Sequence, residues 1–115
     1  MKMDTLRTTL TNELRMVRVE SARESLEEML VGPYEVFPKW MDQTDLPSFW
    51  CVAECPNGAR LLFASPNQWC SDQWIVLSKG RNYVDGDDIW YSTLEDAFYQ
   101  SGAWKGELPP NYEVS

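Results

Sequence analysis

Two kinds of hydrophobic periodicity occupy separate parts of the chain, and this separation constrains the fold more than any other feature of the sequence. Apolar residues recur at helical spacing from Thr5 to Val31, whereas strand-type patterns run from Phe49 to Tyr91. A doubly wound parallel sheet would need helices between its strands, and the strand region has none. We therefore predict an α+β fold with two N-terminal helices, an antiparallel sheet of about four to five strands built from hairpins, and one short C-terminal helix.

The helical region contains two apolar stripes that do not share a face. At about 100° per residue the second stripe is rotated by roughly 150° from the first, so one straight helix cannot bury both. We predict two helices, at about 5–17 and 22–31, the second opened by a capping box at Ser21–Glu24 and ended by Gly32-Pro33. A short strand over Met16–Glu20 is the alternative for the break. The stripes are Leu6, Leu10, Leu14 and Val17, then Ala22, Leu26, Met29 and Leu30.

Turn-forming residues divide the second half of the chain into strands. Pro56-Asn57-Gly58 predicts a tight hairpin, because Asn-Gly tolerates the positive φ angles that such a turn requires. Asp85-Gly86-Asp87 indicates a second hairpin, and Ser92–Glu95 has the form of a capping box that opens a helix to about Ser101, closed by Gly102. The predicted strands are Phe49–Cys55, Ala59–Ser65, Trp74–Ser78, Arg81–Val84 and Asp88–Tyr91.

Two segments have no regular periodicity. Residues 33–48 carry three prolines and three aromatic residues, and we expect them to be irregular but pinned to the core. In the tail, Pro109-Pro110-Asn111-Tyr112 resembles the PPxY ligand of WW domains. We interpret this string as a terminal strap packed on the domain, with a WW-domain ligand as the alternative. Residues 1–115 are expected to form a single α+β domain, made of a helical segment (1–31), an antiparallel sheet (49–91), a helix (92–101) and an extended tail (103–115).

The residue inventory argues against the common catalytic devices. The chain has no histidine, which removes the usual general base near neutral pH, the His-paired nucleophiles and the commonest metal ligand. Neither of the glycine-rich phosphate-binding loops, GxxxxGK[ST] and GxGxxG, occurs in the sequence. We therefore predict no catalytic residues, no cofactor and no metal, and a protein that binds rather than catalyses.

The cysteines point to a reducing compartment. Cys51, Cys55 and Cys70 are an odd number and offer too few ligands for a zinc site. Cys51 and Cys55 would share one strand face about 13 Å apart at ~3.3 Å per residue, too far for a disulfide. The sequence shows no signal-peptide pattern and no apolar run near the ~18 residues of a membrane span. We predict a cytoplasmic protein with buried thiols.

The negative charge is concentrated beyond the first helix. The net charge is −8, yet residues 1–23 hold five basic and three acidic side chains, a net of +2, so residues 24–115 carry −10. An acidic surface repels phosphate backbones and anionic lipids, which argues against direct binding of nucleic acid or of a membrane. The same surface would attract a basic protein partner and speed its association.

Carboxylates and tryptophans are the candidate contact residues. Glu95 and Asp96 open the last predicted helix, a position where carboxylates also stabilise the helix itself. Tryptophan is typical of binding hot spots, so the residues in loop and tail are candidate anchors, whereas Trp50, Trp74 and Trp90 in strands are predicted to be core. The residues predicted to bind the partner are Asp85, Asp87, Asp88, Glu95, Asp96, Trp69 and Trp104.

The leading functional hypothesis is a small acidic cytoplasmic protein-binding module. It would inhibit or regulate another protein, a basic one, such as a nuclease or another nucleic-acid-handling protein. Its size, acidity and surplus of aromatic residues are shared with many toxin-immunity proteins and with phage proteins that inhibit host enzymes. One alternative is a structural subunit of a homo-oligomeric or larger assembly. A second is a carboxylate-dependent hydrolase, which would need a deep pocket with two close carboxylates.

Overall fold

Three helices and seven strands make up the described part of the chain. The computed structural model describes residues 2–40, 48–65, 71–84 and 88–113, with Trp40 described by its backbone. The helices are α1 (Met3–Arg15), α2 (Glu20–Met29) and α3 (Leu94–Gln100). The strands are β1 (Leu30–Val36), β2 (Lys39–Trp40), β3 (Phe49–Glu54), β4 (Arg60–Ala64), β5 (Trp74–Leu77), β6 (Tyr83–Val84) and β7 (Trp90–Tyr91).

A five-stranded antiparallel sheet is the central element, in the order β1-β3-β4-β5-β7. Strands β3 and β4 form the hairpin predicted around Asn57-Gly58, where Cys55 N–H donates to the carbonyl of Ala59 over 2.8 Å. Strands β2 and β6 form a separate two-stranded parallel sheet. The predicted α+β class, with two N-terminal helices, an antiparallel sheet and a short C-terminal helix, is confirmed.

The two N-terminal helices are separate, as the shift between their apolar stripes predicted. Leu6 of α1 and Leu26 of α2 are both fully buried. Residues 16–19 join the helices without a strand, so the alternative strand over Met16–Glu20 is wrong. The capping box predicted at Ser21–Glu24 is also wrong, because α2 begins at Glu20 after Val19 and Ser21 lies inside the helix.

Strand β1 was not predicted, because Gly32-Pro33 was expected to end the second helix. The helix ends at Met29, and the chain continues directly into β1 through that dipeptide. Strand β1 lies at the edge of the sheet, where a proline without an N–H is tolerated. A register irregularity between Leu30 and Tyr34 accommodates the two residues.

The second predicted hairpin, across Asp85-Gly86-Asp87, is wrong, although these three residues lie outside the described ones. Its two strands pair with different partners: β6 lies parallel to β2, with Tyr83 opposite Lys39, and β7 lies antiparallel to β5. Local turn chemistry cannot distinguish these arrangements, since the pairing depends on strands that are distant in sequence.

Each face of the central sheet packs into its own hydrophobic cluster. Alternate residues of β4 point to opposite faces, so Leu61 and Phe63 pack with the three helices, whereas Leu62 and Ala64 pack with Val84 of β6.

Among the described residues, none of the three helices combines the length and the low polarity that crossing a bilayer requires.

The described thiols are buried and free, but they do not share a face. Cys51 is 0% exposed and Cys55 7% exposed. Cys51 belongs to the cluster with Val84, whereas Cys55 packs on the helical side. The expectation of a common face fails because the register between β3 and β4 shifts between Cys51 and Ala53, which breaks the strict alternation. Cys70 lies outside the described residues.

The hairpin glycine provides a stability test. Gly58 has a φ of +89°, and a Cβ there would approach Lys79 Cγ to 2.7 Å, whereas Gly80 has a φ of +78° with open space around it. We expect Gly80→Ala to lower the free energy of unfolding by about 1–2 kcal/mol through backbone strain alone. Gly58→Ala should lower it further. Urea denaturation of both variants measures this, and equal losses would show that the contact with Lys79 contributes nothing.

Candidate functional site

Three carboxylates converge on the first turn of α3. Thr93 is the N-cap, and its Oγ1 accepts a hydrogen bond from Asp96 N–H over 3.1 Å, one residue later than the predicted capping box. Glu13 of α1 reaches across and accepts the N–H of Leu94 over 2.7 Å. Glu95 and Asp96 belong to the same turn. The positive end of a helix dipole favours carboxylates here, so this end of α3 organises the surrounding chain.

Glu95 is buried, with 5% of its surface exposed, and its two oxygens accept three hydrogen bonds. Arg18 donates twice, from its backbone N–H over 2.9 Å and from Nε over 3.1 Å. The hydroxyl of Tyr99 donates over 2.9 Å. A buried carboxylate without partners would be costly, and charge-assisted hydrogen bonds offset that desolvation. Glu95 therefore ties the α1–α2 connection to α3.

Asp96 is 2% exposed and holds the C-terminal segment. The hydroxyl of Tyr112 donates to Asp96 Oδ1 over 2.6 Å, and its ring meets that of Tyr99 edge-on with centroids 5.1 Å apart. Burial raises the pKa of both phenols, and the hydrogen bonds to carboxylates raise it further. Both tyrosines therefore remain protonated donors throughout the neutral range.

The PPxY string folds as a turn. Tyr112 N–H donates to the carbonyl of Pro109 over 3.1 Å, with Pro110 and Asn111 between them. Asn111 has a φ of +56°, so the four residues form a type II turn, which favours proline second and asparagine or glycine third. A WW-domain ligand would need the extended polyproline conformation. The geometry agrees with a packed strap, and we name residues 107–112 the C-terminal strap.

The structure places the predicted partner-binding residues in different surroundings. Glu95 and Asp96, two of the predicted contact residues, are buried, because Arg18 and the tyrosine hydroxyls supply donors to them. Asp88 forms a bidentate ion pair with Arg81, at 2.7 and 2.9 Å, and its side chain is 12% exposed. Asp85, Asp87 and Trp69 lie outside the described residues. Whether any of these residues contacts a partner remains a prediction.

Trp104, the second predicted anchor, is only partly exposed. Its ring lies 6.0 Å from that of Phe98, between centroids, and its Nε1 donates to the carbonyl of Glu107 over 2.8 Å. A Cβ on Gly106 would come within 2.4 Å of the indole, so a side chain at this position would clash with the Trp104 ring. Trp104 thus supports the start of the strap. Of the strand tryptophans, Trp74 is core at 2% exposure, and Trp50 and Trp90 are half-buried.

The exposed charge that our sequence reasoning missed lies on α2. Its buried face carries Ala22 and Leu26, and the opposite face carries a row of exposed glutamates. Arg23 is the one basic residue of the helix and forms only loose ion pairs, at 3.7 and 3.6 Å. The spacing of the glutamates was visible in the sequence, but only the structure shows that few cations oppose them. We call this set the α2 glutamate row: Glu20, Glu24, Glu27 and Glu28.

The α2 glutamate row is electrostatically unfavourable for the isolated helix. Glu24 lies four residues from both Glu20 and Glu28, and like charges at this spacing repel. Glu27 and Glu28 also occupy the C-terminal end, where the helix dipole disfavours carboxylates and no basic residue is present. Glu20 lies in the first turn, where the dipole favours it, and Arg23 pairs loosely with Glu20 and Glu27. Helix stability therefore leaves Glu24 and Glu28 unexplained.

Two of the grooves on the described surface are lined by residues discussed above. The first, of about 410 Å³, separates the start of α2 from the C-terminal strap and contains Leu108, which is 46% exposed. The second, of about 280 Å³, contains Ile89, which is 65% exposed. The first is lined by Arg18, Val19, Glu20, Ser21, Glu107, Leu108, Pro109 and Pro110. The second is lined by Val76, Ser78, Arg81, Asp88, Ile89, Tyr91 and Gln100.

Neither groove is lined by the three converging carboxylates, Glu13, Glu95 and Asp96. Within the described ranges, no three histidine, cysteine, aspartate or glutamate side chains are arranged to hold a metal ion. Comparison of the chain with protein-family models, with curated proteins and with solved structures found no match.

The Tyr112–Asp96 hydrogen bond is testable by removing one oxygen. We expect Tyr112→Phe to lower the free energy of unfolding by about 1–3 kcal/mol, because a buried carboxylate loses a donor while the ring contacts persist. Tyr83→Phe is the matched control, since Tyr83 is 41% exposed, and it should change stability by less than about 0.5 kcal/mol. Urea denaturation gives both values. A Tyr112→Phe variant as stable as the control would contradict this role for the hydroxyl.

Glu13 should make stability depend on pH in a defined direction. Burial raises the pKa of Glu13 above its ordinary value of 4.5, and the Asp96 and Glu95 charges raise it further, against the lowering effect of the Leu94 N–H. The folded state therefore binds this proton more tightly than the unfolded state, and stability falls as pH rises through the raised pKa.

Glu13→Gln keeps an oxygen acceptor for Leu94 and removes this titration. We expect the stability of the native protein relative to this variant to decline between pH 4 and pH 7, as measured by urea unfolding at both values. A relative stability that rises with pH over this range would mean that the hydrogen bond from Leu94 outweighs burial.

Proposed function

We propose that this protein is a small acidic module that binds a basic protein partner, with the α2 glutamate row as its electrostatic contact. The observation that carries the proposal is the accumulation of four exposed glutamates on one helix that has a single arginine. Departures from favourable local electrostatics are expected where a surface serves binding. A cationic partner would relieve the repulsion between Glu20, Glu24 and Glu28, an interaction gained only in the complex.

Inhibition or regulation is the role that follows from this charge. A protein that handles nucleic acid presents a basic surface to phosphate, and a row of carboxylates competes for the same surface. Opposite charges also speed association, which suits an inhibitor that must capture its target before substrate does. Toxin-immunity proteins and phage proteins that inhibit host enzymes have this kind of role, and the net charge of −8 is compatible with it.

A cytoplasmic location is part of this proposal. Its support is the pair of free, buried thiols at Cys51 and Cys55, which is typical of a reducing compartment. The predicted contacts Asp85, Asp87, Asp88 and Trp69 remain part of the proposal as sequence-based predictions.

The test is partner capture followed by binding kinetics. The tagged protein is incubated with native lysate at low salt and eluted stepwise with salt, and the eluted proteins are identified. We expect a basic partner whose association rate falls at least tenfold between about 10 mM and 150 mM salt, where the Debye length shortens from about 30 Å to about 8 Å. An association rate that does not respond to salt would overturn the electrostatic proposal.

The control variant keeps the number of charges equal. Changing the α2 glutamate row to glutamine should abolish most of the association, because the partner loses its steering charges. Changing four other exposed acids, Asp4, Glu35, Glu54 and Glu113, to Asn or Gln removes the same charge elsewhere and should slow association much less. Equal effects would mean that the net charge of the protein, and not the position of the charges on α2, controls association.

Light scattering tests the alternative of a self-associating subunit, which predicts a stable homo-oligomer.

A further inference from the structure

The groove beside the α2 glutamate row combines an apolar lining with uncompensated negative charge. Val19, Leu108 and Pro110 supply the apolar surface, and Leu108 is 46% exposed although it is a large aliphatic residue. Glu20 and Glu107 supply carboxylates. Glu20 is also the first member of the α2 glutamate row, so the groove and the row are continuous. The volume of about 410 Å³ is at the small end of the range for ligand pockets.

The cation within this groove is already engaged. Arg18 donates to Glu95 from its backbone N–H and from Nε, and its guanidinium carbon lies 5.7 Å from the centre of the Tyr112 ring. The buried Glu95 carboxylate offsets the charge of Arg18. Glu20 has Arg23 at 3.7 Å, a distance at which exposed ion pairs contribute little. The two groove carboxylates therefore face solvent with no strong cationic partner among the residues that line the groove.

We propose that this groove receives an arginine side chain of the basic partner, an inference that rests on the proposed function. An arginine presents a long apolar stem, which matches the surface of Leu108 and Pro110, and a planar cation, which matches the carboxylates of Glu20 and Glu107. Arginine is also more weakly hydrated than lysine, so entering a partly apolar groove is less costly. The strap wall is fixed by the Tyr112–Asp96 hydrogen bond, which lets the groove exist before the partner arrives.

A blocked tri-arginine peptide is the probe, titrated into the ¹⁵N-labelled protein at low salt and followed by amide chemical shifts. We expect saturable shifts at residues 18–21 and 106–108, weaker binding of tri-lysine, and no saturation with tri-citrulline, which keeps the shape and lacks the charge. Shifts confined to other surfaces, or equal binding of tri-citrulline, would overturn the proposal. So would preferential binding of a tri-glutamate peptide, which would assign the groove to an acidic ligand through Arg18.

Two single-charge variants test the groove. Glu107 lines the groove, whereas Glu35 is an exposed acid that belongs neither to the groove nor to the row. Glu107→Gln should weaken tri-arginine binding about two- to fivefold, and Glu35→Gln by less than about 1.5-fold. The reverse order would overturn the groove proposal. If tri-arginine binds in the groove but no basic partner is found, the proposed function is refuted. If a basic partner binds the Glu107→Gln variant as tightly as the native protein, only the groove proposal is refuted.

Discussion

The desolvation of two carboxylates at the start of α3 is the constraint on which the arrangement of the chain depends. Glu95 and Asp96 are almost fully buried, and a buried carboxylate is tolerated only where donors surround it. Those donors come from distant parts of the sequence: Arg18 lies 77 residues from Glu95, and Tyr112 lies 16 residues beyond Asp96. Satisfying them fixes the α1–α2 connection and the C-terminal strap against the same helix end.

Because of this network, some of the acidic side chains are not accessible at the protein surface. The net charge of −8 includes buried side chains. Glu95 is paired with Arg18, and Asp96 accepts a hydrogen bond from Tyr112. Asp88 is likewise held by Arg81. The charge that a partner can reach is therefore distributed differently from the charge in the sequence. On the described surface it is concentrated on α2, where Glu24 repels Glu20 and Glu28, and where Glu28 also opposes the helix dipole.

The parts of the fold that local sequence determines were predictable, and those that depend on distant neighbours were not. Asn57-Gly58 forms its hairpin because the turn residues alone favour the required φ angles. Gly32-Pro33 has the form of a helix end, but it lies in an edge strand, and a proline is acceptable there only because no further strand pairs with it. The same limit applies to β6, whose turn residues suggested pairing with β7 and whose actual partner is β2. For the site, the glutamates of α2 could be read from their spacing, whereas the burial of Glu95 depended on the position of Arg18.

The buried hydrogen-bond network holds one wall of the surface groove in place. The strap supplies Leu108 and Pro109 to the groove. Tyr112, which lies three residues after Pro109, anchors the strap to Asp96. A strap held by a turn and a buried hydrogen bond loses little conformational entropy when a partner binds, so more of the interaction energy appears as affinity. The two tyrosine hydroxyls are protonated across the neutral range, and burial and the neighbouring carboxylates raise their pKa further, so these donors do not titrate there. The internal carboxylates thus contribute to recognition indirectly, by fixing the surface on which the external ones act.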